Sequence, residues 1–254
     1  MFDTTKLTTL KLETLNQKLK LMKDLFGKAI LDFQTYNSPE DIITETNISE
    51  ADEMDVAYLF RDFKSMPKLE QKALQLAKGK VLDVGCGAGS HGLYLQEKGL
   101  DVTAIDISEN AVKACLLRGL KNVKVQDVLA VENEKFDTIL LLMNGTGIFR
   151  TLMECSKYLQ KLKSLLNPNG QILIDSSDII YMYDEDEDGS YLVPANQYYG
   201  ELVFTVSYKG QTDEPFTWLY MDYNTLQNAA HANGLNCELI MEGKHFDYLA
   251  KIYI

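Results

Sequence analysis

Residues 81–92 read Val-Leu-Asp-Val-Gly-Cys-Gly-Ala-Gly-Ser-His-Gly, and this stretch decides the fold. It begins with a mostly apolar run that predicts a strand, and it leads into a helix-compatible segment that Gly99 can end in a left-handed conformation. Gly85, Gly87 and Gly89 allow a tight turn between the two and let a ligand approach the main chain at the helix N-terminus. The stretch therefore predicts a strand, a glycine turn and a helix that together form a binding site.

The glycine spacing alone leaves two classes of ligand open. Gly87, Gly89 and Gly92 also fit the Gly-x-Gly-x-x-Gly fingerprint of dinucleotide-binding proteins. Asp83 favours the other class, because it lies at the end of the predicted strand, where the charged part of the ligand must lie. A carboxylate there repels the pyrophosphate of NAD or FAD and attracts an ammonium or a sulfonium group. S-adenosylmethionine carries both.

A second short strand, residues 102–105, ends in an acidic residue. This residue, Asp106, follows Gly85 by about 20 positions, which places it to accept hydrogen bonds from both hydroxyls of a ribose. Dinucleotides and S-adenosylmethionine share that ribose, so Asp106 indicates a nucleoside without distinguishing the two. Ile107 can pack on an adenine face, and Ser108 is expected to cap the next helix.

The two segments resemble the class I S-adenosylmethionine-dependent methyltransferases. Residues 83–89 match the family's first motif, acidic-x-Gly-x-Gly-x-Gly, and the resemblance extends over roughly residues 80–254. It implies an α/β fold with a doubly wound, mostly parallel seven-stranded sheet whose last strand is antiparallel, and S-adenosyl-L-methionine as the cofactor. The cofactor-binding residues expected from the motif and the resemblance are Asp83, Gly85, Cys86, Gly87, Gly89, Asp106, Ile107, Asp127, Val128, Leu142, Met143 and Asn144.

The resemblance assigns roles to two further strand ends. In the family, an acidic residue at the position of Asp127 accepts a hydrogen bond from the adenine amino group, and the next backbone amide, here that of Val128, meets the ring. The alternative for Asp127 is an exposed loop carboxylate. The apolar run 136–143 predicts a strand buried on both faces of a parallel sheet. In the family the end of this strand lies near the transferable methyl group, which makes residues 142–144 candidates for the cofactor wall.

The end of the chain also favours methyl transfer over dinucleotide binding. Segments 236–241 and 246–254 are joined by too few residues for a crossover, so the last strand must run antiparallel, as in the resembled family. Before them, residues 179–222 are expected to form an insertion that ends in a β-hairpin, 202–208 and 216–221. Its acidic, tyrosine-rich first half is interpreted as a solvated loop or as a lid whose rings face a cation.

The first 75 residues are expected to form a helical extension to the cofactor-binding domain, residues 76–254. The spacing of apolar residues within 1–35 predicts one long amphipathic helix or two shorter ones, followed by a polar connection at 39–46 and a helix at 69–77. In the resembled family such an extension often covers the cofactor or shapes the acceptor pocket. The alternative is a helix that packs on the sheet or mediates dimerisation.

Composition narrows the classes of function and partner. A net charge of −12 disfavours nucleic acids and anionic membranes as partners. The sequence has neither a basic-then-apolar start nor an apolar run of about 20 residues, which indicates a cytoplasmic protein. No metal is expected, because the cysteines and histidines lack ligand spacing. The cysteines stand singly at Cys86, Cys115, Cys155 and Cys237.

The sequence thus predicts a methyltransferase that acts on a small-molecule acceptor by in-line displacement, as a monomer or a homodimer. No spacing singles out a catalytic base among Asn144, Asp175 and Asp178 at the strand ends, and His91 is interpreted as structural. For the polar cluster 175–178, acceptor binding and a solvated strand end both stay open. Two other functions also stay open: an NAD(P)- or flavin-binding oxidoreductase, and a protein that binds S-adenosylmethionine without turnover.

Overall fold

The computed structural model describes residues 23–36 and 40–254, in which helices and strands alternate along most of the chain. The helices are α1 (Leu25–Tyr36), α2 (Lys68–Leu76), α3 (Ser90–Glu97), α4 (Glu109–Leu117), α5 (Leu152–Ser164) and α6 (Tyr223–Ala232). The strands are β1 (Ile42–Thr46), β2 (Ser49–Met54), β3 (Lys80–Val84), β4 (Asp101–Asp106), β5 (Val123–Val125), β6 (Phe136–Leu141), β7 (Leu166–Ser177), β8 (Glu201–Tyr208), β9 (Gln211–Thr212), β10 (Phe216–Leu219), β11 (Asn236–Glu242) and β12 (Asp247–Tyr253).

The main sheet has seven strands in the order β11-β12-β7-β6-β3-β4-β5. The strands β3 to β7 run parallel, whereas β12 is antiparallel to β7 and β11 is antiparallel to β12. This confirms the mostly parallel seven-stranded sheet with an antiparallel last strand. The chain moves outward from β3 to β5 and then returns to β6, so the strand order reverses between β3 and β6. Ligands of open α/β sheets bind at the carboxyl ends of the strands beside such a reversal.

The core lies on both faces of this sheet. In β6, Phe136, Ile139, Leu140 and Leu141 are all fully buried, as expected for a central parallel strand. Leucines of α5 pack on one face, and leucines of α2 pack on the other. The two helical layers bury the strands and leave the strand ends at the edge free to form a site.

A second sheet, which the sequence did not predict, joins the N-terminal part of the chain to the insertion. Its order is β10-β8-β1-β2, and β9 pairs with β8. The predicted hairpin is confirmed as β8 and β10, but β8 also pairs antiparallel with β1, through Thr44 and Val206. The predicted polar connection at 39–46 is therefore wrong from Ile42 onward. Ile42 is fully buried, and β2 and β8 supply the hydrogen-bonding partners that make this short segment a strand.

The N-terminal extension contains both helices and strands where the structure describes it. Part of the helix predicted within 1–35 is confirmed as α1, and the rest of that prediction falls on residues 1–22, outside the described residues. The start of α1 lies against α4, where Asp24 accepts hydrogen bonds from Ser108 Oγ (2.8 Å) and Asn110 Nδ2 (2.9 Å). The extension is thereby attached next to the carboxyl end of β4.

Candidate functional site

The glycine turn after β3 takes a conformation that glycine permits and other residues rarely adopt. Gly85, Gly87 and Gly89 have φ angles of +69°, +51° and +81°. The amides of Gly85 and Cys86 both donate to the carbonyl of Ile105, at 2.9 and 3.1 Å, which fixes the turn against the end of β4. The turn then delivers the chain into α3, whose N-terminus faces the crevice at the strand ends.

The carboxylate of Asp106 joins the end of β4 to the glycine turn. Its Oδ2 accepts a hydrogen bond from the amide of Gly87 and its Oδ1 accepts one from the amide of Ser108, both at 2.9 Å. Burial raises the pKa of this carboxyl, and the two amide hydrogen bonds oppose that shift. Each oxygen can accept one further hydrogen bond, which suits the two hydroxyls of a ribose.

The residues predicted to meet the adenine lie on the two strands beside the glycine turn. Asp106 is paired with Val125 across β4 and β5, and Asp127 follows two residues later. The carboxylate of Asp127 accepts a hydrogen bond from the amide of Leu129 (2.8 Å), so it is anchored at the strand end. Ile107 is 47% exposed, whereas the side chain of Val128 is buried in the core. For Val128, only the main chain is available to a ligand.

The loop after β6, predicted as the cofactor wall, has an unusual backbone. Met143 and Asn144 have φ angles of +67° and +59°, a left-handed conformation that costs non-glycine residues free energy. Asp175, at the end of β7, stabilises it, because its Oδ2 accepts from the amide of Met143 and its Oδ1 from the amide of Gly145, both at 3.0 Å. Asp175 is buried, so the solvated strand end considered for it is wrong. Its position next to a buried strand was the only sequence signal for this role.

The pH dependence of stability is expected to report on Asp175. Burial raises the pKa of its carboxyl to about 6 from an ordinary value of 3.8. Folding therefore favours the protonated form, and the stability that this group contributes is full below pH 3.8 and is lost as the pH rises through 6. For Asp175→Asn, which does not titrate, the loss is absent. The free energy of unfolding of the wild type should fall relative to the variant by about 2 kcal/mol between pH 4 and pH 7.5.

Urea unfolding of both proteins across that pH range measures the difference directly. Neighbouring groups that titrate are present in both proteins and cancel to first order. Parallel pH profiles would show that Asp175 is ionised in the folded protein at pH 4.

A chain of buried charges connects the extension to the glycine turn. A guanidinium nitrogen of Arg61 contacts one carboxylate oxygen of Glu70, and Nε2 of His91 lies 2.5 Å from the other. Burial raises the pKa of Glu70, but His91 and Arg61 outweigh it and lower that pKa overall. Burial lowers the pKa of His91, but Glu70 and Asp83 raise it overall. The side chains of Arg61, Glu70, His91 and Asp83 are all buried, and basic and acidic groups alternate along this series.

Asp83 ends this chain of charges with an unsatisfied atom. Its Oδ2 is buried and has no hydrogen-bond partner among residues 23–36 and 40–254. A buried carboxylate oxygen without a donor is costly, and native proteins usually satisfy such atoms with protein, water or ligand. The donor that fits is a cationic N–H group, such as the ammonium of S-adenosylmethionine. The residues present therefore fit this cofactor at the strand end where the sequence placed its charge.

The second sheet is hydrogen-bonded to residues at the carboxyl ends of the main-sheet strands. Thr146 Oγ1 donates to the carbonyl of Leu219 (2.8 Å), and the amide of Met221 donates to Ser176 Oγ (2.9 Å). The ring of Trp218 covers Gly147 so closely that a Cβ there would lie 1.9 Å from the indole. The insertion thus lies over the loop that holds Met143 and Asn144. The predicted lid role of the tyrosine-rich half stays a prediction.

Adding a methyl group at Gly147 is expected to move Trp218. Gly147→Ala forces the indole away, which should lower the free energy of unfolding by about 1–3 kcal/mol. Trp218 is the chain's single tryptophan, so its emission spectrum reports the displacement. As a control, Thr212→Ala at an exposed position of β9 in the same sheet should leave the spectrum unchanged. Identical spectra for Gly147→Ala and the wild type would contradict the close packing of ring and loop.

Comparison with known proteins gives a consistent likeness. Residues 76–221 match the family described as methyltransferase domain. A solved S-adenosylmethionine-dependent methyltransferase from Bacteroides fragilis, in complex with S-adenosyl-L-homocysteine, is 45% identical, with a TM-score of 0.85 over 91% of this chain and 95% of its own.

Two curated relatives are more distant and cover less. The putative methyltransferase YqeM of Bacillus subtilis is 27% identical over 45% of this chain and 53% of its own length. The ubiquinone biosynthesis O-methyltransferase of Xanthomonas euvesicatoria pv. vesicatoria is 29% identical over 41% of this chain and 45% of its own. The chain spans about half the length of these curated relatives.

Proposed function

The chain belongs to the class I S-adenosylmethionine-dependent methyltransferases, and from that premise we propose that it transfers the cofactor's methyl group to a small-molecule acceptor. The observation that carries the proposal is the carboxylate of Asp106, hydrogen-bonded to the glycine turn at adjoining strand ends. The unsatisfied carboxylate oxygen of Asp83, beside the same turn, supports a cationic nucleoside as the ligand. A polyphosphate ligand would be repelled there.

In this proposal each predicted residue keeps one role toward the cofactor. The carboxylate of Asp83 takes the ammonium group, and that of Asp106 takes the ribose hydroxyls. Asp127 takes the adenine amino group, while Ile107 and the amide of Val128 meet the ring. The main chain of the turn and the loop after β6 form the remaining wall. These two segments comprise Gly85, Cys86, Gly87 and Gly89, and Leu142, Met143 and Asn144.

Methyl transfer asks for positioning more than for reactive side chains. When bound, the cofactor supplies a methyl group that is already electrophilic on a sulfonium. The chain has to hold the acceptor in line with that methyl and exclude water. Asp175 holds the loop after β6, and the second sheet covers it, so both serve positioning and exclusion of water. Asp175 is buried and holds the backbone of this loop through both of its oxygens, so its role in the proposal is positioning.

In this proposal the acceptor site is built by two segments. One is the extension, residues 1–75, and the other is the insertion, residues 179–222, within the cofactor-binding domain 76–254. A small-molecule acceptor and the monomer or homodimer expected from the sequence are both part of the proposal. None of the helices in the described residues is long and apolar enough to cross a membrane. The cytoplasmic location stays a prediction from the sequence.

Calorimetric titration of the protein with S-adenosylmethionine, S-adenosyl-L-homocysteine and NAD tests the cofactor. Binding of the first two and not of NAD is expected, and preference for NAD would overturn the proposal. Incubation of the enzyme and methyl-labelled cofactor with metabolite extracts tests transfer. Label should appear in a small molecule. Tight cofactor binding without transfer to any extract would favour a protein that binds the cofactor without turnover.

A further inference from the structure

His91 has surroundings that a purely structural histidine does not need. It lies in the first turn of α3, directly after the glycine turn, and is 8% exposed. Its Nε2 meets Glu70 of α2 at 2.5 Å. The next residue, Gly92, lies against Asp83 of β3, because a Cβ added to it would lie 3.3 Å from Oδ2 of that carboxylate. The first turn of α3 therefore contacts both a carboxylate of the extension and the carboxylate predicted to bind the cofactor's ammonium group.

The charge state of Asp83 depends on this neighbour. Burial raises the pKa of Asp83, and the positive charge of His91 opposes that shift. Glu70 in turn favours the protonated ring, since a buried imidazolium needs a carboxylate partner. Arg61 contacts the other oxygen of Glu70 and keeps that carboxylate ionised. A change at Glu70 thus reaches Asp83 only through His91.

We propose that His91, protonated and anchored by Glu70, is a positioning residue that keeps Asp83 ionised to receive the ammonium group of the cofactor. This inference rests on the proposed function of the site and deepens it. It assigns the N-terminal extension a part in cofactor affinity, exerted on the amino-acid end of the ligand and not on its adenosine end. His91 touches no reacting atom, so it is not a catalytic residue.

A change of pH alone cannot isolate His91, because several titrating groups face the cluster. Asp83 is also faced by Asp106 and the thiol of Cys86, and His91 by Arg61, Glu70 and Asp175. Two ligands that share the adenosine end and differ at the amino-acid end separate the contributions of the two ends. S-adenosyl-L-homocysteine carries the ammonium group, whereas 5′-methylthioadenosine shares the adenosine end and lacks the amino-acid end.

Calorimetric titration at pH 7.5 of the wild type, His91→Gln and Glu70→Gln with both ligands tests the proposal. Glutamine retains a hydrogen-bond donor for Glu70 but carries no charge. Both variants should raise the Kd for S-adenosyl-L-homocysteine by about tenfold, because the ammonium group then loses a charged hydrogen-bond acceptor, and change that for 5′-methylthioadenosine less than twofold. The control His231→Gln, at an exposed position of α6, should change neither.

Equal weakening of both ligands, or no weakening of either, would overturn the role of His91. Failure of the wild type to bind S-adenosyl-L-homocysteine would instead overturn the proposed function, so the two failures are distinguishable. If a variant does not fold, NMR titration of the wild-type imidazoles still decides. The chain has three histidines, and His231→Gln and His245→Gln assign His91 by elimination. An imidazolium at His91 at pH 7.5 is expected, and a neutral ring there would contradict the proposal.

Discussion

Asp106→Ala is expected to raise the Kd for S-adenosyl-L-homocysteine by about 10²–10³-fold. The substitution removes a charged acceptor for two ribose hydroxyls, and hydrogen bonds to charged groups contribute about 1.5–3 kcal/mol each. It also frees the amides of Gly87 and Ser108, which the carboxylate now holds at 2.9 Å. Calorimetric titration measures the affinity, and thermal unfolding shows whether the fold is retained.

Asp101→Ala is the matched control for this experiment. Asp101 begins the same strand, β4, at its opposite, exposed end. Its removal should leave the affinity unchanged. An affinity of Asp106→Ala equal to that of the wild type would remove Asp106 from the site and leave the glycine turn without its ribose partner.

Glu70→Ala is expected to lower the free energy of unfolding by about 3–5 kcal/mol. The substitution leaves the Arg61 guanidinium buried and charged without its carboxylate, and it leaves the buried His91 ring without its hydrogen-bond partner. Arg61 is poorly placed to compensate, because its Nε already lacks a hydrogen-bond partner within the described part of the chain. Urea unfolding at pH 7.5 measures the loss.

An exposed ion pair provides the comparison. Lys251 and Glu238 are paired across β11 and β12, with Glu238 half-exposed, and such pairs contribute about 0–1 kcal/mol. Glu238→Ala should therefore change stability little. A loss below about 1 kcal/mol for Glu70→Ala as well would mean that water reaches the Arg61 cluster in the folded protein.

The sequence predicts the main sheet because the signals for it are local. The glycine turn, the acidic residue that ends β4 and the mostly apolar β6 each occupy a few consecutive residues. The antiparallel β12 follows from a connection too short for a crossover. Each of these predictions needs only the period of apolar residues and the length of a loop.

What the sequence could not predict depends on residues far apart along the chain. Segment 42–46 contains only two apolar residues, and it forms a strand through pairing with β2 and with the distant β8. The charges of Glu70 and His91 give no sign that α2 and α3 bring them together in the core. Asp175 gives no sign that it holds the backbone of Met143. Contacts between residues so far apart in the sequence are seen only in the three-dimensional structure.

The pairing of β1 with β8 has a consequence for how the protein is made. Thr44 leaves the ribosome long before its partner Val206 is synthesised, and pairings of such long sequence separation form slowly. Until then the β1–β2 hairpin presents an open edge that can recruit strands of neighbouring nascent chains. We expect chaperone dependence and inclusion-body formation to be concentrated in chains that stop before β8.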